Sequence, residues 1–336
     1  MKVYRFDHAG SLEHLTLHDE PTPEPERGEV LIRVRASSLN YRDIAMVHGT
    51  YQRAQQAGLT PISDAAGEIV AVGKEVTDFK VGDRVINTFH PRWHGGDPPA
   101  SLGSESYGSQ RDGWLTEYKA VSQEAVVAAP SALSFEEAAT LPCAALTAWS
   151  SLTGLQGLRP GQTVLTQGSG GVSVFAVQLA KLFGARVIAT TSSEEKAVRL
   201  KALGADAVIN YLETPAWGER VRELTGGRGV DRVLEVGGAG TLGQSIKAVA
   251  NRGEVALIGS LTSRTVSLDV GDLFCSGGIF HRISVGNRAG LQDLVRAVTA
   301  SGLKPVIDTV FPFGRALDAW RYFDDRAYFG KVVISH

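Results

Sequence analysis

The sequence predicts an α/β chain: a doubly wound parallel sheet with helices on both faces, alongside a separate β-rich region. Two observations predict it. From about Ser134 onward, short apolar runs alternate with stretches of helical periodicity, as a parallel sheet buried on both faces requires. Before that point the chain reads as partly alternating, branched strands punctuated by glycine. Its 336 residues suffice for two domains at roughly 100–200 residues each.

In chain order, residues 29–36, 67–73 and the run 79–86, with its Gly82-Asp83 turn, read as strands. Residues 91–112 are rich in Gly, Ser and Pro and long for a connection, which suggests a lid or an unstructured loop. Ser134 with Glu137 has capping-box spacing and opens the alternating part. Strands are then expected at 163–167, 186–190, 207–209, 232–236 and 254–258, with helices at 172–183 and 194–203 among them. A helix over 291–300 and a last strand at 331–334 close the chain.

Composition narrows the function. A charge of −2 without any Lys/Arg cluster argues against nucleic acid or an acidic membrane as the main partner. Two cysteines, Cys143 and Cys275, cannot build a disulfide framework or a Cys-rich zinc lobe. The first residues lack the apolar core of a signal peptide, and no apolar run approaches roughly 18 residues. A cytoplasmic protein is expected.

The sharpest motif is Gly168-Ser169-Gly170-Gly171-Val172, which joins an expected strand directly to an expected helix. Glycines there let the backbone turn tightly and approach a pyrophosphate, while the helix N-terminus supplies free N–H groups. Ser173 replaces the third glycine of the usual fingerprint and is still small. The motif marks a Rossmann dinucleotide-binding domain. Cofactor choice is read about 20 residues on, where NAD-binding versions place an acid. Here Thr191 takes that position, followed by Ser192, Ser193 and Lys196, with Tyr211 after the next strand. These leave room for a 2′-phosphate and favour NADPH, while Glu194 and Glu195 keep NADH possible. The alternative is that Ser193 only caps a helix and Lys196 is solvated.

Further landmarks run in order along nearly the whole chain: Asn40-Tyr41-Arg42-Asp43, residues 66–73, Val81-Gly82-Asp83-Arg84-Val85, residues 113–118, residues 141–149, the glycine turn and Phe329-Gly330-Lys331-Val332-Val333. With these, the chain resembles the medium-chain dehydrogenase/reductase superfamily. It is most similar to the zinc-free branch of quinone oxidoreductases, enone reductases and proteins often labelled alcohol dehydrogenases. The resemblance implies a GroES-like β-rich catalytic domain over 1–122 and 285–336, with the Rossmann domain over 123–284. It also suggests a homodimer, with residues 254–258 and the following Leu261-Thr262-Ser263 as a possible sheet extension.

Zinc-dependent relatives bind catalytic zinc through Cys, His and a further Cys or acid. By motif alignment, Asn40, Ser63 and Asp64 stand at the first Cys, the His and the neighbouring Glu, and only Cys143 matches a ligand. That falls short of a catalytic zinc set, so no metal is expected. His90 and His94 are four apart, but Pro91 and the residues after His94 disfavour a helix. Cys143 reads as a small buried residue rather than a nucleophile.

Without a Lewis acid, charge developing on oxygen needs hydrogen-bond donors or conjugation. The expected reaction is therefore hydride transfer from NADPH to a quinone or α,β-unsaturated carbonyl, the partner being a small hydrophobic molecule. A zinc-free alcohol dehydrogenase and a non-catalytic dinucleotide-binding protein are the alternatives. Asn40, Tyr41 and Asp64 are the catalytic candidates, although Asn40 could merely satisfy loop backbone. The resemblance adds Thr147, Val236, Ile258, Gly259, Val285 and Gly286 to the cofactor side, with Lys331 as a phosphate-facing lysine or an exposed strand residue. Trp93, Tyr107 and Trp114 could cover substrate as a lid over 95–108, or simply anchor their loop.

Overall fold

The computed structural model describes all residues except 52–55, 103–104, 263–264 and 266. It divides into two compact units, residues 1–146 with 285–336, and residues 147–284. The sequence boundary at 122/123 thus moves to 146/147. Residues 123–146 belong with the β-rich unit because Val126–Ala128 pairs with Arg84–Asn87 and the Cys143 N–H reaches Asp64.

The second unit is a six-stranded parallel sheet. By chain order, its strands lie third, second, first, fourth, fifth, sixth across the sheet. They are Thr163–Gln167, Arg186–Thr191, Ala207–Asn210, Val230–Glu235, Val249–Leu257 and Ile279–Arg282. This is the doubly wound order in which chain direction across the sheet reverses between the first and fourth strands. The first strand is buried at every position, as a sheet covered on both faces demands. Leu165, Ile188, Val233 and Val255 form its core with Trp217 and Val221 of the helix Trp217–Leu224. Between these two neighbouring strands, Arg232 and Glu254 form a buried ion pair, and Arg232 also donates to the Ser151 carbonyl at 2.9 Å.

The segment 254–258 does not offer a sheet edge. Strand Val249–Leu257 is paired on both sides, with Val230–Glu235 and with Ile279–Arg282. Ile279–Arg282 is the terminal strand on that side. Ser263 of the proposed extension lies outside the described residues.

The first unit holds a seven-stranded sheet in which Glu29–Ser38 is central. It pairs antiparallel with Asp64–Val72, with Tyr118–Ser122 and with Lys331–Ser335. The chain's last strand therefore lies against one of its first, bringing Lys331 beside Leu39 and Asn40. Two cores pack on this sheet. Trp114 and Tyr107 meet edge-on at 5.3 Å in one, and Trp320, Phe323 and Ile44 sit in the other. Two of the three aromatics of the expected lid, Tyr107 and Trp114, are thus core anchors, while half-buried Trp93 donates from its ring N–H to the Gly96 carbonyl at 3.0 Å. Arg42 ties the loop down by donating to the Tyr107 carbonyl and Ser106 Oγ. The middle of that expected lid, residues 103–104, lies outside the described residues.

Candidate active site

The nucleotide turn is built as the glycine pattern requires. Strand Thr163–Gln167 ends at Gly168, whose φ of +71° suits glycine, and its N–H donates to the Thr190 carbonyl at 2.8 Å. Gly170 caps the twelve-residue helix Gly171–Leu182. A Cβ built on Gly170 would meet nothing within 4 Å, so the space over the helix N-terminus is open for a phosphate. Ser173 does the third glycine's work differently: it is buried, and its hydroxyl donates to the Gln167 carbonyl at 2.6 Å, tying helix to strand. The turn lies at the reversal of the sheet, where such folds bind ligands.

At the next strand end, Thr191 is buried and Ser192 is exposed. Ser193 caps the helix Glu194–Ala202 by accepting from the Lys196 N–H. The capping alternative for Ser193 is therefore what its side chain does here. Tyr211 is adjacent, its N–H donating to the Thr191 carbonyl at 3.0 Å, and its ring is partly exposed. Val236, Ile258 and Gly259 come together at two neighbouring strand ends; the Ile258 N–H donates to the Glu235 carbonyl at 2.9 Å. Thr147 is buried in the helix Leu146–Thr153. Val285 has a φ of +60°, strained for a β-branched residue, and precedes buried Gly286.

Sequence reasoning missed the network beneath this turn. The buried Glu235 carboxylate accepts from the Gly237 and Gly238 N–H groups at 3.0 and 2.9 Å, from Gln167 Nε2 at 2.8 Å, and from the Thr241 and Ser245 hydroxyls. Gln167 Oε1 in turn accepts from the Val236 N–H at 3.2 Å. This network of neutral donors fixes the loop after the fourth strand. A glutamate ending an otherwise apolar strand was the available signal, since a buried carboxylate must find donors.

The first unit contains a second polar cluster. Lys331, only 2% exposed, donates from Nζ to the Leu39 carbonyl at 2.6 Å and to Asn40 Oδ1 at 2.7 Å. It is not the exposed strand residue of the alternative reading. Asn40 Nδ2 lies 3.4 Å from Ser63 Oγ and 3.5 Å from the Ser38 carbonyl, long contacts that hold the amide loosely. Ser63 Oγ donates to Asp64 Oδ1 at 2.7 Å, and the Cys143 N–H donates to Oδ2 at 3.0 Å. That N–H sits in a single π-helical turn, Leu141–Ala145, a distortion often found at functional sites. Tyr41 takes no part in these bonds. It packs at the edge of the Trp320 core, with Arg326 over its ring at 5.4 Å.

Local backbone strain aims the cluster. Ile62, fully buried with a φ of +72°, turns the chain immediately before Ser63 and Asp64. Gly113 allows this bend, because a Cβ there would lie 2.2 Å from the Pro61 and Ile62 carbonyl oxygens. Asn87 clamps the start of the strand, accepting from the Ala65 N–H and donating to the Ser63 carbonyl.

Burial dominates the electrostatics. It raises the Asp64 carboxyl, an effect opposed by Lys331, Asn40, Ser63 and the Cys143 N–H. It lowers Lys331, opposed by Asp64, Cys143 and Asp43. It raises the Cys143 thiol, and Asp64 adds to that rise. Asp43 accepts from the Asn40 N–H at 2.8 Å, and burial pushes it to about 6. Among the described residues no three His, Cys, Asp or Glu side chains group so as to hold a metal ion.

A doubly wound dinucleotide domain with its glycine turn, together with a β-rich unit holding a buried polar cluster, defines a two-domain nucleotide-dependent oxidoreductase. Residues 26–131 match the alcohol dehydrogenase GroES-like domain, and residues 171–301 the zinc-binding dehydrogenase domain. A zinc-type alcohol dehydrogenase-like protein of Schizosaccharomyces pombe is 40% identical over 92% of this chain and 91% of its own length. A chloroplastic quinone oxidoreductase of Triphysaria versicolor is 33% identical over 100% and 98%. A solved structure from Sinorhizobium meliloti 1021, described as an alcohol dehydrogenase, superposes with a TM-score of 0.93 at 43% identity, covering 100% and 98%. Similar proteins also include enone and acryloyl-coenzyme A reductases, and a mycobacterial protein solved with NADPH. The chain belongs to the medium-chain dehydrogenase/reductase superfamily and is an NAD(P)-dependent oxidoreductase. No described helix is long and apolar enough to cross a membrane.

Proposed function

We propose that this protein is a zinc-independent reductase that uses NADPH to reduce a quinone or an α,β-unsaturated carbonyl. The observation that carries the reading is the donor set of the first unit's cluster. At the positions where zinc-dependent relatives hold their metal, this chain has Asn40, Ser63, Asp64 and Cys143. Only one of these is a thiol, and the carboxylate is engaged by Ser63 and the Cys143 N–H. Those groups do not suit catalytic zinc, which needs three committed protein ligands and an open position.

Reduced nicotinamide, when bound, supplies a hydride. Gly168, Gly170 and Gly171, with Val172 in the first turn of the helix, would hold the pyrophosphate. Thr191, Ser192, Lys196 and Tyr211 would surround the adenosine ribose, where the lack of an acid favours the 2′-phosphate of NADPH. Asn40 is our candidate donor to the substrate oxygen, because its Nδ2 contacts with Ser38 and Ser63 are long and leave room for a better acceptor. Conjugated acceptors suit a site that offers hydrogen-bond donors in place of a Lewis acid, since they spread the developing charge. Similarity to quinone oxidoreductases and enone reductases supports the substrate class. A homodimer remains the expected assembly, from the family resemblance.

The test is a set of initial rates with a quinone, an enone, an aldehyde and an alcohol, each with both cofactors. Faster quinone or enone reduction with NADPH than with NADH supports the reading. Turnover confined to alcohols and aldehydes would replace it with an alcohol dehydrogenase.

A further inference from the structure

Lys331 stands apart from ordinary buried lysines. It lies on the final strand, it is among the largest fully buried side chains, and its ammonium enters a cluster whose other members come from residues 39–64 and 143. Its two close acceptors are neutral: the Leu39 carbonyl at 2.6 Å and Asn40 Oδ1 at 2.7 Å. The anions of the cluster, Asp64 and Asp43, act on it through space. A buried cation must be compensated, and so must a buried carboxylate; Lys331 reaches Asp64 through Asn40 and Ser63, and their charges favour each other.

We infer that Lys331 is a positioning residue: its buried ammonium, bonded to the Leu39 carbonyl and Asn40 Oδ1, sets the orientation of the Asn40 amide and supplies a cation to the cluster. It performs two tasks. It compensates the Asp64 carboxylate, and by taking Asn40 Oδ1 it fixes the amide so that the NH2 end faces Ser63 and stays a donor. An ammonium bonded to the amide oxygen also polarises the amide and strengthens its N–H groups as donors. The site's charge is thus balanced without a divalent ion, and the strand pairing of Lys331–Ser335 with Glu29–Ser38 holds the cation in register.

The inference rests on the metal-free reading above, and a stability cycle separates their failures. Lys331→Met, Asp64→Asn and the double variant are compared with the wild type by urea unfolding, with zinc content measured on each. An uncompensated buried charge costs enough to lower the unfolding midpoint by roughly 1 M. Lys331→Met should show that loss, and Asp64→Asn in the same background should recover at least half of it. Should Lys331→Met yield no folded protein, Asp64→Asn against the double variant still decides: the double must be at least as stable. As a second readout, Lys331→Met should lower kcat about tenfold with the NADPH dissociation constant unchanged. Lys331→Arg should restore part of kcat. Strictly additive stability losses, or a double variant less stable than Asp64→Asn, would overturn the inference alone. Stoichiometric zinc in the wild type would instead overturn the reading it rests on.

Discussion

The two polar sites of this molecule solve opposite problems with opposite chemistry. In the nucleotide-binding unit, the Glu235 carboxylate is buried without a paired cation among the described residues and is stabilised by five hydrogen-bond donors, from Gln167, Thr241, Ser245 and two backbone N–H groups. In the β-rich unit, Asp64 has two close donors and relies on the charge of Lys331. A network of neutral donors holds backbone in place and leaves an open, electropositive helix end for an anion. A buried cation and carboxylate instead hold one amide in one orientation. The first arrangement suits binding, and the second suits a site that must present a fixed donor.

Mutations that separate binding from turnover sharpen this contrast. The largest effect is expected at the glycine turn. Gly170→Asp puts a carboxylate into the open space over the helix N-terminus and should weaken NADPH binding about 1,000-fold, roughly 4 kcal/mol. Fluorescence titration measures it, and unchanged thermal unfolding would show that the fold survives. Next is the pH dependence of the cluster. Asp43 has its folded pKa raised to about 6, from an ordinary 3.8, by burial. The native state therefore holds its proton to higher pH than the unfolded chain, so stability falls as pH rises from about 4 to about 6 and is level above. The drop should be about 2–3 kcal/mol and should vanish in Asp43→Asn, measured by urea unfolding across that range. A wild type and variant with parallel profiles would remove Asp43 from the cluster's charge balance. Smallest is Asn40→Ala, which should cost about 1.5–3 kcal/mol in kcat/KM while leaving the NADPH dissociation constant within twofold. Equal losses in cofactor binding and turnover would erase the division of labour between the two units.

The same contrast explains what could be read from the chain. The nucleotide turn is local: strand, glycines and helix follow one another within twenty residues, and the structure has Thr163–Gln167 and Gly171–Leu182 within a residue of their expected bounds. The cluster is not local. Asn40, Ser63, Asp64, Cys143 and Lys331 span almost the whole chain and meet only because the last strand pairs with an early one. Alignment by motif named the first four, and none of the spacing signals puts Lys331 among them. Tyr107 and Trp114 illustrate the same gap, since a Gly-rich loop looks mobile until Arg42 and a core contact fix it. Glu235 was hidden for a different reason: its partners are backbone N–H groups and hydroxyls, which carry no distinctive sequence spacing.

The most direct test of a metal-free, ammonium-centred active site is the zinc content of fully active protein, followed by the quinone- or enone-reduction rate after exhaustive chelation. The account predicts far less than one zinc per chain and an undiminished NADPH-dependent rate. One tightly held zinc per chain, with activity lost on its removal and regained on its return, would contradict it.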